Sequence, residues 1–156
     1  MKRFILFFTI SLISSNIVSA NGDKRFYNAI DNNSFSLIES LIDDQAVDIN
    51  IQDQSGKTPL MYASQKSTPD IVSFLIKKGA DVNLKTFNNV TALHYAARGS
   101  NSEVVKVLIE NNADINAQDF SGFTPLMRAA TNKKYDNFKV LVSAGADLYV
   151  KNQNSD

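Results

Sequence analysis

Thr58-Pro59-Leu60-Met61-Tyr62-Ala63 returns as Thr91-Ala92-Leu93-His94-Tyr95-Ala96 and again as Thr124-Pro125-Leu126-Met127-Arg128-Ala129. The offset is 33 residues both times, without a gap. A second landmark keeps the same phase: Ala80-Asp81-Val82-Asn83, Ala113-Asp114-Ile115-Asn116 and Ala146-Asp147-Leu148-Tyr149. Val47-Asp48-Ile49-Asn50 stands one period earlier. Two landmarks in constant phase mark an internal repeat, a stack of units none of which buries its apolar face alone.

Each period reads as two helices. The first is short and carries Leu60 and Ala63, Leu93 and Ala96, or Leu126 and Ala129. The second is denser in apolar residues: Val72, Phe74, Leu75, Ile76; then Val105, Val107, Leu108, Ile109; then Phe138, Val140, Leu141, Val142. That density exceeds the needs of one apolar stripe and fits a helix with neighbours on two sides. Thr68-Pro69-Asp70 supplies an N-cap, a proline at the first helical position and an acid in the first turn. Asn101-Ser102-Glu103 opens the next second helix in the same way. Gly79, Asn112 and Gly145 follow the second helices, where a left-handed residue ends a helix well.

The 33-residue period, the Thr-Pro-Leu-x-x-Ala opening and the Gly-Ala-Asp-x-Asn close resemble the ankyrin repeat. The resemblance implies an all-α solenoid of helix-turn-helix units with projecting hairpin-like loops, and binding of other proteins without chemistry. It spans about residues 23–152, as four units of about 23–52, 53–85, 86–118 and 119–152, before a polar tail at 153–156. The first unit diverges. Phe26, Ala29, Leu37, Ile38, Leu41 and Ile42 keep helical spacing, but the Thr-Pro-Leu opening is missing and one extra residue precedes Val47. Terminal repeats are expected to be atypical because one face has no neighbour, and Asp23 is placed to cap the first helix. The last unit has no evident capping helix after it, so its outer face is expected to be partly exposed.

Residues 1–20 read as an export signal rather than as part of the fold. Lys2 and Arg3 precede the apolar run Phe4–Ile10, extended by Leu12 and Ile13, and Val18-Ser19-Ala20 supplies compact residues for a cut after Ala20. An uncleaved anchor is the competing reading, but Ser11, Ser14, Ser15, Asn16 and Ser19 interrupt the ~20 apolar residues that a span needs. Without Lys2 and Arg3 the chain keeps 14 basic against 16 acidic residues, a net charge of about −2. Neither that balance nor any dense basic stripe suits a nucleic-acid binder. There is no cysteine, so disulfides, cysteine-based zinc sites and a lipid-modified cysteine at the cut are excluded. Whether the destination is a periplasm, the medium or a secretory lumen is open.

Residues able to do chemistry are few. His94 is the one histidine, and in the resembling family this position bonds backbone near the hairpin; Met61 and Met127 fill it in the other units. Asp48, Asp81, Asp114 and Asp147 form a column of one acid per unit. Stacked units would hold them roughly 10 Å apart, too far to converge on one cation, so they read as turn residues accepting from nearby amides. No cofactor or metal is expected, and no catalytic residue. Asn32-Asn33-Ser34 and Asn89-Val90-Thr91 fit the glycosylation pattern, relevant only to a secretory route through an endoplasmic reticulum.

The loops hold the candidate binding residues. Asp53-Gln54-Ser55-Gly56-Lys57 and Asp119-Phe120-Ser121-Gly122-Phe123 match, while the middle loop has Thr86 for the aspartate and Asn89 for the glycine. Asparagine tolerates the left-handed conformation, so the turn is expected to survive. The resemblance implies that the second, third and fifth loop positions point outward. These are Gln54, Ser55 and Lys57, then Phe87, Asn88 and Val90, then Phe120, Ser121 and Phe123. Adjacent exposed apolar groups mark partner sites; the alternative is that each phenylalanine folds back on its own hairpin. The expected protein-binding surface therefore joins Phe87, Val90, Phe120 and Phe123 to the concave first-helix face. That face includes Tyr62, Gln65, Lys66, Tyr95, Arg98, Arg128 and Asn132. A rival reading makes the chain a regulator or inhibitor of an exported or host enzyme. No small-molecule substrate is implied.

Overall fold

The computed structural model describes residues 24–44, 47–66 and 68–153. The expected export signal at 1–20, the cut expected before Asn21, the cap expected at Asp23 and residues 154–156 of the expected tail lie outside them. The described residues are all-α, with eight helices and no strand. They fall into two compact units divided between Asp48 and Ile49.

The first unit is a helix pair: α1 over 24–31 and α2 over Phe35–Asp43. Asn33 turns the chain between them at φ 51°, and the Ser34 amide donates to the Ala29 carbonyl at 2.8 Å. Phe26, Ala29, Ile30, Ile38 and Leu41 are buried. Leu37, expected in this core, is 39% exposed. Ile38 and Leu41 define the inward stripe of α2, and Leu37 lies on its flank.

The second unit repeats one motif, a loop followed by two helices. The helices are α3 (Pro59–Lys66) and α4 (Pro69–Lys77), α5 (Ala92–Arg98) and α6 (Ser102–Glu110), and α7 (Pro125–Thr131) and α8 (Tyr135–Ser143). First helices pack on first helices, α3 on α5 on α7, and second on second, α4 on α6 on α8. Ala63, Ala96, Ala97 and Ala129 are buried in the first row, and their small side chains let the helices approach closely. In the second row the buried apolar residues are Ile71, Val72 and Leu75, then Val104, Val105 and Leu108, then Leu141. Phe74, Ile76, Val107 and Ile109 are only half-buried.

The helix ends explain why the pattern is so regular. Gly79, Asn112 and Gly145 adopt φ of 102°, 64° and 89°. In each case the next amide, of Ala80, Ala113 or Ala146, reaches back 3.0 Å to the carbonyl of Leu75, Leu108 or Leu141. This is the Schellman arrangement, which satisfies carbonyls the helix leaves over. At the other ends, Thr58 and Thr124 accept from the amides of Met61 and Met127, both at 3.3 Å. Asn101 accepts from Glu103 at 3.1 Å, but Thr68 caps α4 by position alone, with no side-chain bond. Pro69 already removes one of the amides that such a cap would satisfy.

Candidate protein-binding surface

The loops are rigid because each closes on one acceptor side chain. Asp53 Oδ1 accepts from the amides of Ser55 and Lys57 at 2.8 and 2.9 Å, and Asp119 Oδ1 from those of Ser121 and Phe123 at 2.9 and 3.0 Å. In the middle loop Thr86 Oγ1 does the same for Asn88 and Val90, at 3.3 and 3.0 Å. Gly56, Asn89 and Gly122 sit at φ 78°, 59° and 75°, so the departing loop keeps the same turn. Successive loops are joined through backbone: Phe87 N–H donates to Ser55, Phe120 N–H to Asn88 and Gln153 N–H to Ser121, at 3.2, 3.0 and 3.1 Å. Gln52 and Gln118 add side-chain rungs, each bonding its own loop and the backbone 33 residues on, at Lys85 and Lys151. Gln153, read as the first tail residue, belongs to this ladder.

On this frame Phe87 is 64% exposed and Phe120 58% exposed. Phe87 leans on the loop before it: a Cβ placed on Gly56 would stand 3.1 Å from Phe87 Cδ1 and 2.8 Å from its amide nitrogen. Val90 and Phe123 are half-buried. The Phe123 ring lies 4.2 Å beneath the Arg128 guanidinium, whose Nε donates to Asp119 Oδ2 at 3.0 Å while Nη2 reaches the same oxygen. The four tip residues therefore divide into two exposed and two partly packed.

The first-helix face mixes cations with aromatic rings. Lys57 Nζ stands 4.1 Å from the Tyr62 ring centre and 4.4 Å from that of Tyr95, and donates to Gln65 Oε1 at 2.7 Å. Arg98 approaches Tyr95 from the next turn, at 5.9 Å. Cation–π contacts of this kind hold side chains in place at about 0.5–2 kcal/mol each. Tyr62, Tyr95 and Arg128 are half-buried, and Gln65, Lys66, Arg98 and Asn132 exposed. Burial raises the Tyr95 pKa.

His94 is fully buried. Its Nδ1 accepts from the Thr91 amide at 3.2 Å and lies 2.8 Å from the Thr91 hydroxyl, and its Nε2 donates to the Phe123 carbonyl at 2.9 Å. Those partners require the neutral ring with its proton on Nε2, and burial pushes its pKa down. The aspartate column does turn work: Asp81, Asp114 and Asp147 accept from the amides of Asn83, Asn116 and Tyr149 at 2.8–3.1 Å. Among the described residues no group of acids and histidine stands close enough to hold a metal ion. None of their helices is long and apolar enough to cross a membrane.

Two structural devices escaped the sequence reading. Asn50, Asn83 and Asn116 each accept from the amide of the next unit's aspartate, Asp81, Asp114 or Asp147, at 2.8–2.9 Å. Their place in the repeated Asp-x-Asn close was the available signal. The second is Asn137, buried in α8, whose amide donates at 3.0 Å to the carbonyls of Ala96, Ala97 and Gly99. It stands where the earlier units have Ile71 and Val104, and a polar residue in an apolar column could have drawn notice.

No curated protein matches the chain. The family model described as ankyrin repeats matches three times, over residues 8–86, 26–119 and 85–152. Together with the paired helices, the Schellman ends and the loop ladder in register, these matches establish that the chain belongs to the ankyrin-repeat family.

Proposed function

We propose that this chain is an exported, non-catalytic module that binds a partner protein through its loop tips and first-helix face. One observation carries the reading: Phe87 and Phe120 are both more than half exposed on adjacent loops locked by backbone bonds. Exposing two large apolar side chains is unfavourable unless something covers them. Rigid aromatic anchors beside a polar rim of Gln65, Lys66 and Arg98 suit a hot-spot interface. Export rests on the order of basic, apolar and small residues before Asn21. The test is capture of interacting protein from the producing cells or their medium on the immobilised chain, repeated with Phe87→Ser and Phe120→Ser together. Retention that the double variant abolishes supports the reading, and equal retention by both opposes it.

A further inference from the structure

The first-helix face of the second unit carries charge of one sign. Lys57, Lys66, Arg98 and Arg128 stand along it. The carboxylates of its loops, Asp53 and Asp119, are engaged by their own turn amides, and Asp119 also by Arg128. Where α3 and α5 end, a groove of about 580 Å³ opens, with Lys66 and Arg98 over it and Gln65, Asn101 and Asn132 along its walls. No described carboxylate lines it. Each cation also complements the C-terminal end of its own helix. For α5 that negative end is already occupied from behind, because the Asn137 amide takes the carbonyls of Ala96, Ala97 and Gly99. Ser100, which lines the groove, accepts from Lys134 Nζ at 3.0 Å. On a chain with 16 basic and 16 acidic residues, the charged residues lining this groove, Lys66 and Arg98, are both cations.

We propose that this groove receives an extended acidic segment of the partner protein; the inference rests on the protein-binding reading above. Lys66 and Arg98 come from neighbouring units whose packed helices stand about 10 Å apart. A segment in the extended polyproline II conformation advances about 9 Å over its three-residue turn, so carboxylates three residues apart share one face and meet both cations. Gln65 Oε1 accepts from Lys57, and Asn132 Nδ2 donates to Arg128 and Thr131. Gln65 therefore offers its Nε2 donor and Asn132 its Oδ1 acceptor, a pair suited to a peptide backbone, whereas a phosphate backbone offers acceptors only. The tip phenylalanines anchor the partner elsewhere, and the groove selects for its charge.

The probe is a labelled decapeptide with glutamate at every third position and glycine and serine between, followed by fluorescence anisotropy against the full chain. Saturable binding is expected, weakening as salt rises. The glutamine counterpart, and the Lys66→Glu/Arg98→Glu variant with the original peptide, should each bind at least ~10-fold more weakly. Both substituted side chains are exposed, so circular dichroism should be unchanged, and the milder Arg98→Gln should shift affinity in the same direction. Phe87→Ser with Phe120→Ser should leave peptide binding intact. Absence of binding at low salt, undiminished binding by the reversed variant, or tighter binding of a single-stranded decanucleotide would overturn the proposal. If the chain still retains a protein through Phe87 and Phe120 while failing the peptide test, the acidic-segment inference falls and the protein-binding reading stands.

Discussion

His94 Nε2 donates across a unit boundary to the carbonyl of Phe123, 2.9 Å away and 29 residues along the chain. Nδ1 of the same ring receives the Thr91 amide, so one buried side chain closes its own helix start and fastens the next loop. His94→Ala should therefore leave the buried Thr91 amide unsatisfied and the Phe123 carbonyl with the Asp119 amide as its remaining donor, and cost about 2–4 kcal/mol. The pH dependence has a definite sense. Burial holds the folded pKa below the ordinary 6.5, so this contribution is complete above pH 6.5 and declines as pH falls through the folded value. Urea melts of the two proteins should differ most above pH 6.5 and converge on acidification.

Asp119 titrates lower. Burial works to raise its pKa, but the Arg128 guanidinium and the amides of Phe123 and Ser121 outweigh that and hold it below 3.8. Its stabilisation is complete above pH 3.8 and lost as pH falls through the folded value. Asp119→Asn should cost about 1–3 kcal/mol at neutral pH and flatten the acid limb of a stability profile measured by circular dichroism.

Leu108 is fully buried between stacked units. Leu108→Ala should cost about 2–5 kcal/mol through lost burial and a residual cavity, and should melt the second unit as a whole. Leu41→Ala should cost less, because a terminal repeat can open without taking interior interfaces with it. Urea midpoints that rank Leu41→Ala as the more damaging would contradict this assignment of the ends.

Phe123 and Phe87 should separate stability from binding. The Phe123 ring is half-buried under Arg128, and Phe123→Ser should cost about 1–2 kcal/mol. Phe87 is mostly exposed, and Phe87→Ser should change stability by about 0.5 kcal/mol or less. Thermal melts of the two single variants check this directly.

Export has its own readout. The mature chain should begin at Asn21, as intact mass or N-terminal sequencing of the exported protein would reveal. A full-length chain recovered only by membrane extraction would contradict it.

The repeat and the left-handed positions in its loops and after its second helices were legible because each depends on residues within one period. Gly79, Asn112 and Gly145 show this, and so does Asn89 standing in for glycine. The left-handed Asn33 and Lys133 between paired helices carried no such signal. Contacts between periods were less legible. The asparagine ladder, the reach of Asn137 and the stacking of Phe123 under Arg128 depend on which side chains meet after stacking. The same limit applied in the second helices: spacing identified Val72 and Val105, whereas the packing of one row on the next also buries Ile71 and Val104. The loop positions expected to point outward likewise divided once Arg128 reached Phe123.

The proposed binding of a partner protein rests on two exposed phenylalanines on locked loops, Phe87 and Phe120. Its most direct test is the affinity of a captured partner for the chain with and without Phe87→Ser and Phe120→Ser, measured by calorimetry at matched stability. A loss of at least ~2 kcal/mol in binding, the mark of a hot spot, is expected, with the melting midpoint nearly unchanged. Unchanged affinity in the folded double variant would contradict it.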